Sequence, residues 1–282
     1  MTKARRAMQE DIKLVDLVIE LLDARVPRSS GNPDIDTLAK NKFRLVLLNK
    51  ADLADPNAVN AWIRYYADKG ITAVALDSRT GTRMKEIQSK INEVCKEKIE
   101  RDLKRGIQNR PIRAMVVGIP NVGKSTFINS LAGRAAAKTG NKPGVTKGNQ
   151  WIRLNKSVEL LDTPGILWPK FEDEEVGYHL AFIGSINDEV IVKEELCYRF
   201  VKFIQETNPE VLKARYEIMP DEDPNQTIEM IALKRNSLKK GGEADILKAS
   251  TLIIDDFRSG KLGKISIEFP EQKVSSNGNK DQ

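Results

Sequence analysis

RAMVVGIPNVGKST (113–126) carries an apolar run into a loop with two glycines and out into GKSTFINSLAG, which reads as a helix. From Gly118 to Ser125 the loop fits G-x-x-x-x-G-K-[ST], and a strand before it with a helix after it is the context a P-loop requires. Gly118 and Gly123 let the backbone curl until its N–H groups face phosphate oxygens, helped by the helix N-terminus. Lys124 is expected to reach the β- and γ-phosphates and Ser125 to bind magnesium, with Asn121, Val122 and Thr126 completing the lining. A plain glycine-rich turn with a surface lysine would need neither the full spacing nor this context.

Two further segments point to the same ligand class. DTPG (162–165) ends an apolar strand; Asp162 is expected to hold magnesium, and the Gly165 N–H to approach a γ-phosphate because glycine admits close backbone contact. On its own DTPG would be an ordinary β-turn, but its distance past a P-loop makes it specific. Between them, AKTGNKPGVTKGNQ supplies a threonine able to close its hydroxyl onto magnesium. Thr139 and Thr146 both qualify, and PGVT just before the next strand favours Thr146.

VLLNKADLAD (46–55) has the look of a base reader. The Asp52 carboxylate can accept from guanine N1–H and the exocyclic amine, a pair of donors adenine does not present. Asn49 would brace the site, the Lys50 stem would lie along the base, and Ala51 completes the loop. In ALDSRTG, Asp77 and Ser78 follow another strand and could back the base; an Asp-Ser turn is the bland alternative. N-K-x-D occurs by chance, and its place at a strand end is what gives it weight.

Alternating strands and helices predict an α/β fold with a mostly parallel sheet, whose ligands sit at the C-terminal strand ends. VDLVIELLDA (15–24), RLVLLNK (44–50), TAVALDS (72–78), RAMVVG, WIRLN (151–155) and SVELLDTPG (157–165) read as strands, the last two paired. KARRAMQEDIK (3–13) reads as a basic opening helix, DIDTLAKN as a short one, DPNAVNAWIRYYADKG as a third, and 84–106 as one long helix. Beyond about residue 175, KEELCYRFVKFIQ, NQTIEMIALKRNSL and EADILKASTLIIDDFRSG predict a small all-α domain, 176–282, ending in a disordered tail, SSNGNKDQ.

Composition sets the outer bounds. Lys and Arg outnumber Asp and Glu by 46 to 40 in 282 residues, so a polyanionic partner is permitted without being required. Cys95, Cys197 and the lone His179 supply neither a structural zinc set nor a disulfide framework, which suggests a reducing cytoplasm. Lys13, Asp16, Glu20 and Asp23 interrupt the first apolar stretch, so it predicts neither a signal peptide nor a membrane span. Residues 96–113 carry seven basic and three acidic side chains, readable as an rRNA-facing helix end or as a solvated helix face, and no basic cluster is interleaved with aromatics.

KARR, DARVPRSSGNP, LLNKAD, RAMVVGIPNVGKST, KTGNKPGVTKGNQW, ELLDTPGILWPKFEDE and the helical C-terminal part together span nearly the whole chain. In these the sequence resembles the circularly permuted GTPases of the YlqF/RbgA type, the ribosome biogenesis GTPase A family, in which permutation moves the base reader upstream of the P-loop. The resemblance implies GTP/GDP and Mg2+ as ligands, hydrolysis to GDP and phosphate, and a role in late assembly of the large (50S) ribosomal subunit. It implies rRNA and ribosomal proteins as partners, no membrane, and a monomer off the ribosome. Lys124, Thr146 and Gly165 would carry catalysis. Many GTPases place a water-orienting glutamine after DTPG; here the residue is Ile166, so turnover alone is expected to be slow. The family's histidine, in an aromatic-Pro-Gly-His segment before the KARR-like stretch, has no counterpart in Met1-Thr2-Lys3-Ala4-Arg5-Arg6, leaving truncation or loss as open expectations. His179 does not match that position and reads as a helix-surface or interdomain residue. Asn121, in related GTPases, is associated with a phosphate-bridging K+. A nucleotide-dependent binding switch with negligible hydrolysis stays open; a metabolic P-loop kinase is disfavoured by DTPG and NKAD together.

Overall fold

A computed structural model describes residues 3–81, 83–108, 110–133, 150–162 and 173–271. The chain opens with α1 (Lys3–Lys13), β1 (Leu17–Asp23), two single-turn helices α2 (Pro27–Ser30) and α3 (Ile35–Leu38), and β2 (Phe43–Asn49). It continues with α4 (Pro56–Asp68), β3 (Thr72–Ala75), α5 (Met84–Val94), α6 (Lys96–Lys104), β4 (Ile112–Val117), α7 (Lys124–Ala132), β5 (Gln150–Arg153) and β6 (Val158–Asp162). The remainder is helical: α8 (Glu174–Phe182), α9 (Lys193–Thr207), α10 (Glu210–Tyr216), α11 (Pro224–Lys234) and α12 (Ile246–Arg258).

The six strands lie in the order β3-β2-β1-β4-β6-β5, all parallel except the antiparallel edge strand β5. Every residue of β1 is buried, which is why LVIELLD reads as an almost unbroken apolar run: both faces of a central parallel strand are covered. On one face α5 and α7 pack Ile87, Ile91, Phe127 and Ile128 against Ile19, Leu45 and Val116. On the other, α1 lays Met8 and Ile12 over Val18, Met115 and Leu161, and α4 lays Trp62 over Val46 and Leu48. The basic opening helix is therefore amphipathic, and its apolar stripe is what docks it. Glu20, turned into this interior, meets Arg44 at 3.0 Å; burial still raises its pKa, with the Arg44 charge opposing. Parallel pairing brings Asp23, Asn49, Ala75, Val117 and Asp162 to one edge.

Two expectations need correction. The single helix over 84–106 is broken at Cys95 into α5 and α6. The apolar stripe of α5 ends at buried Cys95, and after the break Lys98 pairs with Asp102 (2.7 Å) and approaches Asp16 (3.7 Å). Lys98 and Asp102 are thus buried, not displayed with the rest of the basic run. The third strand also ends at Ala75, earlier than TAVALDS suggested, because Leu76 to Ser78 turn off to meet the base loop.

After α12 the chain runs back to the sheet edge in extended form. Ile265 N–H donates to Leu53 O (3.0 Å), Ile267 N–H to Arg25 O (2.9 Å), and Trp62 Nε1–H to Glu268 O (3.1 Å). Asp55 caps α4 by accepting from Asn57 N–H and Ala58 N–H, and its own N–H donates to the Ser266 hydroxyl. The apolar residues of α8 to α12 belong to the same continuous core as the sheet. Among the described residues no helix is long and apolar enough to cross a membrane. The tail from 272 lies outside them.

Candidate functional site

β4 runs straight into the glycine loop, and two close approaches explain its glycines. A Cβ on Gly118 would stand 2.6 Å from Leu21 O, and one on Gly123, where φ is +100°, would stand 2.4 Å from Asn49 Nδ2. The loop also sets Asn121 at φ +59°, a left-handed conformation that Asn tolerates better than most residues. Lys124, almost buried, turns its Nζ back to Gly118 O at 3.3 Å, and Ser125 and Thr126 lie half-buried on the first turn of α7.

Asn49 ends β2 and ties the site together. It is buried; its Nδ2 donates to Val122 O (2.7 Å) and its Oδ1 accepts from Ser78 N–H (3.1 Å). Lys50, at φ +58°, sends its Nζ to Asn121 O (2.9 Å). Ala51 N–H donates to Leu76 O, and Ser130 Oγ of α7 to Ser78 O (2.6 Å), so the loops after β2, β3 and β4 are cross-braced. Asp52 stands beyond the brace. Its Oδ2 accepts from Arg79, which also grips Asp77 through Nε (3.2 Å), while its Oδ1 is buried with no hydrogen-bond partner among the described residues. A buried carboxylate oxygen left unpaired fits a ligand donor, which is the requirement guanine would meet.

The structure therefore brings together Asn49, Lys50, Ala51, Asp52, Asp77, Ser78, Gly118, Asn121, Val122, Gly123, Lys124, Ser125 and Thr126. Asp162 ends β6, the strand beside β4. Thr146, its rival Thr139, Gly165 and Ile166 lie outside the described residues. The cleft suits hard oxygen donors and phosphate: a lysine at the loop mouth, N–H groups at a helix start and the Ser125 hydroxyl.

Sequence reasoning passed over a second set of groups against the first. Asp23, fully buried, accepts two bonds from Arg25 (2.9 and 2.8 Å) and meets Lys50 Nζ at 3.1 Å. Burial alone would raise this carboxyl; the Arg25 and Lys50 charges outweigh it and hold the group far below the usual carboxylate range. Arg25 is itself buried and lies 4.9 Å from the Phe257 ring centroid of α12. Glu268, on the returning segment, accepts from Arg28 N–H (2.7 Å), from the Ser29 N–H and hydroxyl, and lies 2.8 Å from His179 Nδ1. His179 thus bridges α8 to the returning segment. The P-loop is tied to the same helices: Asn121 Nδ2 donates to Gly184 O (2.8 Å) and Ser185 Oγ to Pro120 O (2.9 Å). LDAR at a strand end is one of the motifs that the sequence gathers at this edge, but nothing in it shows that Asp23 and Arg25 are buried together against Lys50.

A P-loop braced by an N-K-x-D loop that precedes it in the chain, on parallel strands, defines a circularly permuted P-loop GTPase. Residues 113–218 match the family model described as 50S ribosome-binding GTPase. Ribosome biogenesis GTPase A from Bacillus cereus is 47% identical over 96% of this chain and 92% of its own length, and that from Priestia megaterium is 46% identical over 96% and 95%. A YlqF structure bound to GDP superposes with a TM-score of 0.68 at 29% identity, covering 95% of this chain and 100% of that one. The GNP-bound YlqF from T. maritima gives 0.66 at 30%, covering 96% and 100%. The chain belongs to the ribosome biogenesis GTPase A family.

Proposed function

We propose that this chain binds GTP where β2, β3 and β4 end, hydrolyses it to GDP and phosphate, and acts in assembly of the large (50S) ribosomal subunit. The observation that carries the nucleotide reading is Asn49, at the start of the base loop, whose amide holds the P-loop at Val122 and the base-backing loop at Ser78 at once. A phosphate cradle and a base reader locked by one side chain are spaced for a single nucleotide. Asp52, with one buried oxygen waiting for a donor, selects guanine: adenine would leave that oxygen unpaired.

Roles follow from chemistry. Lys124 lies against the β- and γ-phosphates, Gly118 to Thr126 supply backbone N–H groups, and Asp77 and Ser78 back the base. Ser125, Thr146 and Asp162 would hold magnesium, whose charge, when bound, offsets that developing on the phosphate oxygens. Gly165 N–H would approach the γ-phosphate. Asn121 directs its Nδ2 to Gly184, which leaves Oδ1 as its atom for K+. Ile166 cannot orient water, so turnover is slow until the subunit completes the site. The chain divides into a GTPase part, 1–175, and a C-terminal part from 176 whose helices share its core; those helices meet rRNA or ribosomal protein while the chain itself is monomeric.

Equilibrium titration with fluorescent GDP, competed with GTP and ATP in K+ and Na+ buffers, tests the reading. GTP should displace the probe and ATP should not; equal displacement by ATP would sink the base assignment, and equal phosphate release from GTP in the two buffers, measured in parallel, would remove potassium.

A further inference from the structure

We propose that the outward face of the sheet at its β4–β6–β5 end is an RNA-contact surface, on which Trp151 stacks with an unpaired base while Arg113 and Arg153 hold the flanking phosphates. The proposal rests on reading the chain as a ribosome-binding protein, and says where on the chain rRNA sits.

Strand alternation decides which residues share this face. Ile112, Ala114 and Val116 of β4, Val158 and Leu160 of β6, and Ile152 of β5 turn into the main core. Arg113, Glu159, Trp151 and Arg153 therefore point the other way. The register sets Arg113 beside Glu159 and Glu159 beside Arg153, so three charged residues form one rung across three strands. On this side α1 covers the sheet as far as Met115, Val117 and Leu161. Past that cover, Trp151 is 41% exposed and the Arg113 side chain 52% exposed.

The Arg113 guanidinium lies 5.2 Å from the Trp151 ring centroid and 3.6 Å from Glu159. Glu159 is the acid of a rung whose other members are Arg113 and Arg153; Lys156 stands at the hairpin turn, and exposed Arg110 just before Arg113. Positive charge on an edge strand would by itself serve to block sheet-to-sheet pairing. That purpose does not account for a large exposed indole among the arginines, since an apolar edge is what such charges guard against. An aromatic ring with an arginine over it, in excess positive charge, is the platform single-stranded nucleic acid uses: the ring takes a base and the guanidinium takes phosphate. A protein interface also enriches tryptophan and arginine, so what favours RNA is the net positive charge of Arg110, Arg113, Arg153 and Lys156 against Glu159. No aromatic is close in sequence to the basic run 96–113, so the pairing of Arg113 with Trp151 exists only once β4, β6 and β5 are side by side.

The test uses the full chain, loaded with a non-hydrolysable GTP analogue and sedimented with purified 50S subunits over a KCl series. Trp151→Ala should weaken binding about tenfold, with Trp151→Phe recovering most of it. Arg153→Glu should weaken binding and flatten the dependence of log affinity on log salt by roughly one unit. Fluorescent GDP affinity and melting temperature, measured on each variant, should stay at the unaltered values, which separates a contact role from misfolding. Subunits carrying 4-thiouridine, irradiated in the complex, should crosslink to the peptide containing Trp151. Unchanged subunit affinity in Trp151→Ala and Arg153→Glu, while the unaltered chain binds, overturns the proposal. So do crosslinks from 4-thiouridine to other peptides of the chain with none to this one. Failure of the unaltered chain to sediment with 50S overturns the ribosome-binding reading itself, a result distinct from both.

Discussion

Replacing Asn49 with alanine removes the buried amide that ties the P-loop to the loop after β3. Asn49 is 1% exposed, and its two bonds, to Val122 O at 2.7 Å and from Ser78 N–H at 3.1 Å, are both buried. Alanine leaves a backbone carbonyl and a backbone N–H unpaired at about 1–3 kcal/mol each, so the folded state should lose about 2–6 kcal/mol. For a chain of this size each kcal/mol moves the melting temperature by about 2–4 °C, giving a fall of roughly 4–24 °C. The same substitution frees Gly123 from the amide that would stand 2.4 Å from any Cβ there, so both loops gain freedom that a nucleotide must remove on binding. GDP affinity should therefore fall at least tenfold although Asn49 need not touch the ligand. Thermal melts and fluorescent GDP titration read the two effects, with Asn60→Ala, exposed on α4, as a reference that should stay within about 0.5 kcal/mol. A melting temperature and GDP affinity both unchanged in Asn49→Ala would refute the brace.

Three other substitutions probe neighbouring groups. Asp52→Asn replaces an acceptor with a donor, so guanine binding should drop by about a hundredfold or more while xanthine nucleotides, which offer an acceptor in place of the amine, become ligands; unaltered guanine preference would contradict the assignment. Arg79→Ala releases the Asp52 oxygen that Arg79 holds. An ion pair this exposed is worth at most about 1 kcal/mol, so GDP should bind up to roughly fivefold tighter, and weaker binding would show that Arg79 touches the nucleotide. The depressed Asp23 carboxyl contributes stability that is fully present above its unfolded pKa of about 3.9 and is lost as pH falls through the lower folded value. Urea midpoints should be steady between about pH 7 and about pH 5 as far as this group is concerned and fall below about pH 4. Asp23→Asn should lose about 3–5 kcal/mol near neutral pH by stranding Arg25, and should show a shallower acid decline.

How much of this was legible in sequence depends on the range of the signal. GIPNVGKST, NKAD and the strands before them could be read because each motif is local and each strand is an apolar run bounded by turn residues. The mostly parallel pairing followed from alternation, while the order of the strands did not. What escaped were contacts made across long stretches of chain. The division of 84–106 at Cys95 goes with Lys98 meeting Asp16, a residue near the start of the chain. The burial of Asp23 and Arg25 depends on Phe257, far downstream. The returning segment 265–268 carries alternating Ile265 and Ile267 but is too short to signal an element. Glu268 finds its role only at Arg28, Ser29 and His179. Trp151 and Arg113 are likewise joined by sheet register alone.

As proposed above, this chain is a guanine-selective GTPase whose turnover is completed on the large subunit. The most direct measurement is phosphate release from GTP in potassium buffer, with and without purified 50S subunits, beside an ATP control. Slow release alone, marked acceleration by 50S and none from ATP is the expected result. Tight GTP binding with no acceleration by 50S would contradict the claim and leave a nucleotide-dependent binding switch in its place.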